Sequence, residues 1–552
     1  MKTLSLNLCN GKKIKVKEGT MIQEIIEKYY TEEELPVMLA KVNGKCYELN
    51  TPLKEGGVLQ AVKNNTNTGR LVYGRTVTFI FISAALDLFP GSKITMEHSI
   101  SKGIYGEIHK EKVLTKDEVV KIKKKMQELI DRNLPINKVK VPKEEAVSIF
   151  EDYGMVDKVR LLFHMDLDKV KLYELEGRYD YFYGQMAPNT GYVKIFDLIS
   201  YEDGFILRYP DEAHPKELLP FKDQKKLSNI FRETEQWLNI LGVGEVGTLN
   251  DKMLSRDAQD LIRVSEALHE KKLVYIADKI SELKEVRIIL VAGPSSSGKT
   301  TFAKRLSIQL RVNGLIPMPI SLDDYFINRD KNPLDENGKP NYENITSLDL
   351  ELFNKHIEAL LQGKEVETPI YDFITGRRSQ YTRKLHLPQN GVLIIEGIHG
   401  LNKKLTTSIK DKNKFKIYIS ALTQLNLDNH NRISTTDVRI IRRLVRDYLT
   451  RGNNGEDTLM MWPAVKNGEE KNIFVFQEEA DVMFNSTLVY ELCVLKSFAI
   501  NELNKIKEDS PVFLEAERLK AFLGFFKEVS TDVVPENSIL REFIGGSCFY
   551  KY

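Results

Sequence analysis

The run VRIILVA (286–292), followed at once by GPSSSGKT (293–300), constrains this chain more than any other segment. A short, mostly apolar run bounded by a turn reads as a buried strand. The GxxxxGK[ST] spacing lets the backbone curl so that successive N–H groups and a helix N-terminus surround phosphate oxygens. Phe302, Leu306 and Leu310 recur at i, i+4 and i+8, so the loop opens a helix whose apolar stripe can face a sheet. Lys299 supplies a point charge for the β- and γ-phosphates, and the Thr300 hydroxyl is a ligand for Mg²⁺. Gly293, Ser295, Ser296, Ser297, Gly298, Lys299, Thr300 and Thr301 are therefore the expected ATP-binding positions.

Further apolar strands are expected at 319–322, 392–395 and 416–420, separated by helical stretches. That alternation predicts a parallel sheet wrapped by helices, with the ligand beyond the carboxyl ends of the strands. Asp323-Asp324 and Glu396 stand at two of those ends. One such carboxylate can serve as base for a hydroxyl nucleophile while another organises Mg²⁺. Downstream, Arg439, Arg442, Arg443 and Arg446 follow i, i+3, i+4 and i+7, which lines cations along one helix face. The same pattern also fits an exposed helix salt-bridged to Asp437 and Asp447.

At 552 residues the chain calls for several domains. With 42% hydrophobic and 29% charged residues there is apolar material for several cores. A net charge of +2 gives no global field for nucleic acid or an anionic membrane. Cys9, Cys46, Cys493 and Cys548 form no CxxC pair, and the histidines no HxxxH, so neither a disulfide scaffold nor a zinc cluster is signalled. The apolar run 77–89 is short and contains Asp87, and the first residues lack a long apolar stretch, so a cytoplasmic protein without a membrane span is expected. The basic run 121–125 could touch RNA, but such runs are usually solvated helix faces.

The first 62 residues read as strand, strand, helix and short strands. LNLCNGKKIKVKEGTMIQEII and KVNGKCYELNTPLKEGGVLQAV resemble a TGS domain, the ubiquitin-like module at the front of threonyl-tRNA synthetases. Asn64 to Gly69 is a polar break. The order of elements from Leu71 resembles the second N-terminal domain of those synthetases, where mischarged tRNA is edited. That family carries an HxxxH pair and a CxxxH pair as zinc-type ligands; the matching positions here are Arg75, Phe79, Phe182 and Met186, ahead of PNTG. None of these can ligate zinc, so the scaffold is kept and the chemistry lost. A charged, helix-favouring stretch from 216 to 280 reads as a connector.

GPSSSGKTT, ISLDDYF, SLDLELF, PIYDFITGRR, VLIIEGI and TTDVRIIRRLVRDYLTRG occur in the order, and near the spacing, found in uridine kinases, so about a third of the chain resembles that family. The resemblance implies Asp323 as the base that accepts the nucleoside 5′-hydroxyl proton. It implies Asp349 at the ribose hydroxyls, Tyr371 beside the base, and Arg439 and Arg442 as lid arginines near the phosphates. Asp323, Lys299, Arg439 and Arg442 are the expected catalytic set, Asp349, Tyr371 and Arg378 the acceptor set, and Thr300 with Glu396 the Mg²⁺ ligands. Gly376 replaces a base-contacting histidine of that family, and NYENITSLD replaces a DHP-containing segment, so the acceptor is not fixed as uridine. Arg377 or Arg378 could meet a more anionic acceptor.

The expected architecture is a multidomain α/β chain: a ubiquitin-like β-grasp domain (1–63), an α+β synthetase-like domain (71–215), the helical connector (216–280) and a P-loop parallel-sheet kinase domain (281–552). The expected activity is ATP- and Mg²⁺-dependent phosphoryl transfer to a hydroxyl, with a nucleoside as the acceptor. The alternative is a tRNA- or ribosome-associated regulatory NTPase. The resemblances leave tRNA contact through the N-terminal half and homo-oligomerisation open.

Overall fold

A computed structural model of the chain describes residues 2–30, 34–334, 338, 341–372, 375–407 and 409–549. Phe373 and Ile374 of PIYDFITGRR lie outside the described residues. The chain forms two compact units: Met1–Gln224 with Glu245–Gly247 and Asn426–Arg432, and Lys225–Gly244 with Thr248–Leu425 and Ile433–Tyr552.

In the first unit, Thr3–Leu8 alternates exposed Thr3, Ser5 and Asn7 with buried Leu4, Leu6 and Leu8, the period of a half-buried strand. It lies between Lys13–Lys17 and Gly57–Lys63 in a five-stranded sheet, onto which the helix Ile22–Tyr29 packs Ile22, Ile25 and Ile26. The expected polar break is shorter than its composition suggests. The next helix, Asn67–Leu88, starts inside it, with the Thr66 hydroxyl accepting the Gly69 N–H at 3.1 Å. A Cβ on Gly69 would stand 2.0 Å from the Lys63 carbonyl oxygen, so glycine alone lets the helix begin against the strand end. Met38, Leu39 and Val62 share one core with Val72, Val77 and Phe81 of this helix, which joins the two expected N-terminal domains. The helix is long and apolar enough to cross a membrane by length and composition, but most of it is buried in this core.

Of the four positions matching zinc ligands, Phe79 and Phe182 touch, and Arg75 and Met186 are each held by a residue next to the other. Arg75 donates to the Gln185 carbonyl at 2.6 Å, the Phe79 and Phe182 rings lie 5.3 Å apart, and the Thr76 hydroxyl meets the Met186 sulfur at 3.8 Å. Of the basic run, Lys123 pairs with Asp197 at 2.6 Å and Lys125 with Asp87 at 3.2 Å, as on a salt-bridged helix face. Within the same unit the segment Asn426–Arg432 is held by a buried network: Lys158 lies 2.9 Å from both Asp180 and Asp428, and His430 lies 2.7 Å from Asp180.

The second unit is built on a five-stranded, all-parallel sheet: β1 (Ile288–Ala292), β2 (Ile316–Ser321), β3 (Gly391–Glu396), β4 (Lys414–Ser420) and β5 (Val482–Asn485), in the order β2-β3-β1-β4-β5. β1 is central and buried throughout, as a parallel strand covered on both faces must be. The helices that matter below are α1 (Lys225–Leu241), α2 (Ala258–Glu282), α3 (Lys299–Val312), α4 (Thr435–Arg446), α5 (Gly455–Asn472), α6 (Glu491–Leu503) and α7 (Arg541–Ile544).

The stretch expected as a connector is mostly core. Leu273, Ile276, Ala277 and Ile280 of α2 pack with Ile289 and Val291 of β1 and with Phe302 and Leu306 of α3. Leu227, Ile230 and Phe231 of α1 pack with Ala292 and Tyr418. An amphipathic helix must bury its stripe, and here the parallel sheet takes it, so this unit begins near Lys225 rather than at 281.

Candidate active site

The loop 293–298 joins β1 to α3 at the carboxyl edge of the sheet. Gly298 has φ +83°, the left-handed region that glycine enters without steric cost, and it places Lys299 at the first turn of α3. Gly293 is required for close approach, since a Cβ there would stand 1.9 Å from the Ile419 carbonyl oxygen. Ser296 also has positive φ, +60°, an uncommon conformation for a residue with a side chain. Among the described residues, the buried Ser296 and Ser297 hydroxyls have no hydrogen-bond partner.

Two carboxylates stand on the loop amides. Glu469 of α5 accepts the Ser295 N–H at 2.8 Å, and Glu542 of α7 accepts the Thr301 N–H at 3.0 Å and its hydroxyl at 2.9 Å. The donors thus meet anionic oxygen, as a phosphate-binding loop at a helix N-terminus demands. Lys299 donates to the Pro294 carbonyl at 3.1 Å. Burial lowers its proton affinity, while Glu396, Asp323 and Glu542 raise it.

Glu396 ends β3 and Asp323 follows β2, two strands paired so that Ser321 lies beside Glu396. The Ser321 hydroxyl donates to Glu396 at 2.9 Å and accepts the Asp323 N–H at 3.3 Å. Burial, with Asp323 as a neighbouring charge, pushes the Glu396 carboxyl up to about 7. Among the described residues, no group of three or more His, Cys, Asp or Glu side chains is arranged to hold a metal ion alone. The hard oxygens of Glu396 and Thr300 fit a Mg²⁺ that takes its remaining ligands from nucleotide phosphates and water.

The arginine face of α4 points inward. Arg442 is wholly buried, paired through Nε and Nη2 with Glu491, and donates to the Ser486 hydroxyl at 3.0 Å and carbonyl at 2.7 Å. Its Nη1 also reaches the Ser296 carbonyl at 3.4 Å. Arg439, 3% exposed, pairs with Glu469 and donates to the Ser295 carbonyl at 3.1 Å. Both arginines expected over the transferring phosphoryl group are thereby committed to the carbonyl side of the loop, which they brace.

Another cationic group is present. Asp447, wholly buried, takes Arg443 at 3.1 Å and Arg446 at 2.7 Å, with Arg451 at 3.9 Å. The Arg443 Nη1 touches the Ser295 hydroxyl at 3.0 Å. Three guanidiniums around one carboxylate leave excess positive charge, and the Arg446 charge lowers the proton affinity of Arg451. The turn carrying Asp447 to Arg451 is a π-helix, a form frequent at functional sites.

On the acceptor side, Asp349 caps its helix by accepting the Leu352 N–H at 3.1 Å and pairs with Arg378 at 3.1 Å. Arg378 also donates to the carbonyls of Phe326 at 3.1 Å and Tyr325 at 3.0 Å. The Tyr371 ring lies 5.7 Å from Phe326, and its N–H meets Asp324 at 3.2 Å. Gly376 has φ +69°, and a Cβ there would stand 2.6 Å from Nε of Arg329. The guanidinium of Arg329 thus lies against the position where the uridine kinase pattern has histidine.

Glu469, Glu491, Glu542 and Arg451 join the site without having been singled out from the sequence, whereas Asp447 was expected as a salt-bridge partner of the arginine face and is one. A further carboxylate, Glu343, is pushed up to about 7 by burial and by Glu469. Each sits on an ordinary charged helix or loop. The one available signal was the acidic residue on an otherwise apolar helical turn, as in YELCVL around Glu491.

Residues 288–491 match the model of the Phosphoribulokinase / Uridine kinase family. A solved structure of a possible uridine kinase from Bacillus stearothermophilus covers 36% of this chain and 89% of its own, at 21% identity and a TM-score of 0.25. In its N-terminal region the chain is similar to the threonine–tRNA ligases of Rubrobacter xylanophilus (26% identical over 196 residues, 36% of this chain and 30% of that one) and Clostridium tetani (28% over 198 residues, 36% and 31%). The chain therefore spans under a third of the length of those ligases. The loop, the strand-end carboxylates and the family match agree: residues 288–491 are similar to P-loop kinases of that family, and the N-terminal region to threonine–tRNA ligases.

Proposed function

We propose that the protein transfers the γ-phosphoryl group of ATP to a hydroxyl of a nucleoside-type acceptor, with Mg²⁺. The observation that carries this reading is the convergence of Lys299, Asp323 and Glu396 at the ends of adjacent parallel strands, beside loop amides that hold carboxylates. Phosphoryl transfer is mostly positioning and electrostatic stabilisation, so the loop amides and Lys299 bind the phosphates. Asp323 accepts the proton of the attacking hydroxyl. Thr300 and Glu396 hold Mg²⁺, which neutralises developing charge on the phosphate oxygens when bound. Arg443, Arg446 and Arg451 take the clamp role in place of Arg439 and Arg442, whose donors are committed to the loop and its carboxylates.

Asp349, Tyr371 and Arg378 form the acceptor side, with Arg329 supplying a cation beside Gly376. The test is incubation with ATP, Mg²⁺ and a panel of nucleosides, following ADP. Acceptor-dependent ADP release that is lost in Lys299→Ala, with folding intact, is the expected result. ADP release insensitive to every acceptor but raised by tRNA would replace this reading with that of a tRNA-linked NTPase, which the likeness to threonine–tRNA ligases makes worth including.

A further inference from the structure

We propose that the C-terminal segment is an intrasteric gate on the nucleotide site. Glu542 stands on the phosphate loop as a stand-in for a nucleotide phosphate, and ATP enters by displacing it together with the hook 531–548. The inference rests on reading the loop as the ATP site.

The Glu542 carboxylate, 9% exposed, accepts two hydrogen bonds from the wholly buried Thr301, one from the backbone N–H in the first turn of α3. That N–H is one of the donors a helix N-terminus leaves unpaired, and it belongs to the set that turns toward phosphate in such loops. Ile539, wholly buried, lies against Gly298, where a Cβ would stand 3.3 Å from its side chain. Two residues of one short segment therefore cover the last residue of the loop and the first turn of α3.

The segment's polar contacts are largely internal, while Ile539, Leu540 and Phe543 are wholly buried, Ile539 in one core with Phe302 and Phe484. Arg541 donates to the carbonyls of Thr531 at 3.0 Å, Val534 at 2.6 Å, Pro535 at 3.4 Å and Gly545 at 3.3 Å, and the Cys548 N–H meets the Glu536 carbonyl at 3.1 Å. Such a hook keeps its internal bonds when it leaves, but Ile539, Leu540 and Phe543 are then exposed, a cost that ATP binding must offset. The Phe543 ring lies 5.0 Å from the Arg442 guanidinium, so its place is also read by the brace behind the loop.

Charge makes the contact exclusive. Lys299 already faces Glu396, Asp323 and Glu542, and a triphosphate adds several negative charges in the same buried space. One anion can satisfy the Thr301 donors, not two. A carboxylate is the weaker of the two, so it keeps the donors paired and yields to phosphate with Mg²⁺.

The test compares the intact protein with Glu542→Gln, which preserves shape and removes charge. ATP–Mg²⁺ affinity is measured by calorimetry, and hydrogen exchange of residues 531–548 in the unaltered protein is followed with and without ATP–Mg²⁺. Removing the competitor should tighten ATP binding by about tenfold or more, because a site open only a fraction of the time binds weaker by that fraction. ATP should raise exchange in 531–548. The exchange measurement needs no variant, so the proposal stays testable even if the substitution disturbs folding. ATP bound with unchanged affinity by the variant, or without faster exchange in the segment, overturns the gate and leaves the loop assignment standing. ATP binding by neither protein overturns the loop assignment and the gate with it.

Discussion

Replacing Arg442 by methionine should destabilise the second unit by about 3–5 kcal/mol, the usual cost of stranding one charge of a buried pair. The magnitude follows from what remains. Methionine fills the stem of the side chain but removes the donors to Glu491, Ser486 and the Ser296 carbonyl. Glu491, 2% exposed, then keeps the Leu488 N–H at 3.1 Å, too little for a buried carboxylate. Arg442→Met with Glu491→Leu removes both charges and should return to within about 1–2 kcal/mol of the unaltered protein, since apolar replacement of a buried pair is often neutral. Urea unfolding followed by tryptophan fluorescence suits this case, because Trp237 and Trp462 both lie in the second unit. A single variant that loses less than about 1 kcal/mol while its turnover collapses would refute the brace and restore Arg442 as a lid residue acting on phosphate.

Three further outcomes follow from the same geometry. Burial and Asp323 push Glu396 up to about 7 against an unfolded value near 4.5, so the folded state binds this proton more tightly. Its contribution is then complete below about pH 4.5 and lost as the pH rises to 7, which makes Glu396→Gln gain about 3 kcal/mol relative to the unaltered protein between pH 5 and pH 8; identical pH slopes in urea unfolding would contradict this. Gly298→Ala forces a side chain into φ +83°, so a loss of about 1–2 kcal/mol in thermal unfolding together with loss of ATP binding is expected, and retention of both would remove the need for glycine there. Asp323→Asn should slow phosphoryl transfer by about 100-fold or more while ATP affinity changes little, as for loss of a general base, and undiminished turnover would dismiss Asp323 from that role.

The strand, loop and helix from 286 to 312 were legible because each is written in local terms: an apolar run, glycines at fixed offsets, and an apolar stripe at helical spacing. The strand ends at Asp323 and Glu396 were legible for the same reason. The fate of the arginines was not. Spacing put Arg439, Arg442, Arg443 and Arg446 on one face of α4, but a charged face looks alike whether it meets water or buried carboxylates, and here every one of the four is largely buried.

Likewise, α2 carries its apolar stripe in the sequence, yet what it packs on is decided by a sheet whose strands lie before and after the loop. Glu469 and Glu542 reach the loop from 174 and 241 residues away. No local period marks a residue that is charged for the sake of so distant a partner. The sequence by itself thus determined the phosphate loop and the sheet that carries it, since backbone conformation and burial period are local properties. Only the tertiary structure decided which charges face the loop, because a buried charge is placed by its partner, and the partner is found only when the chain has folded.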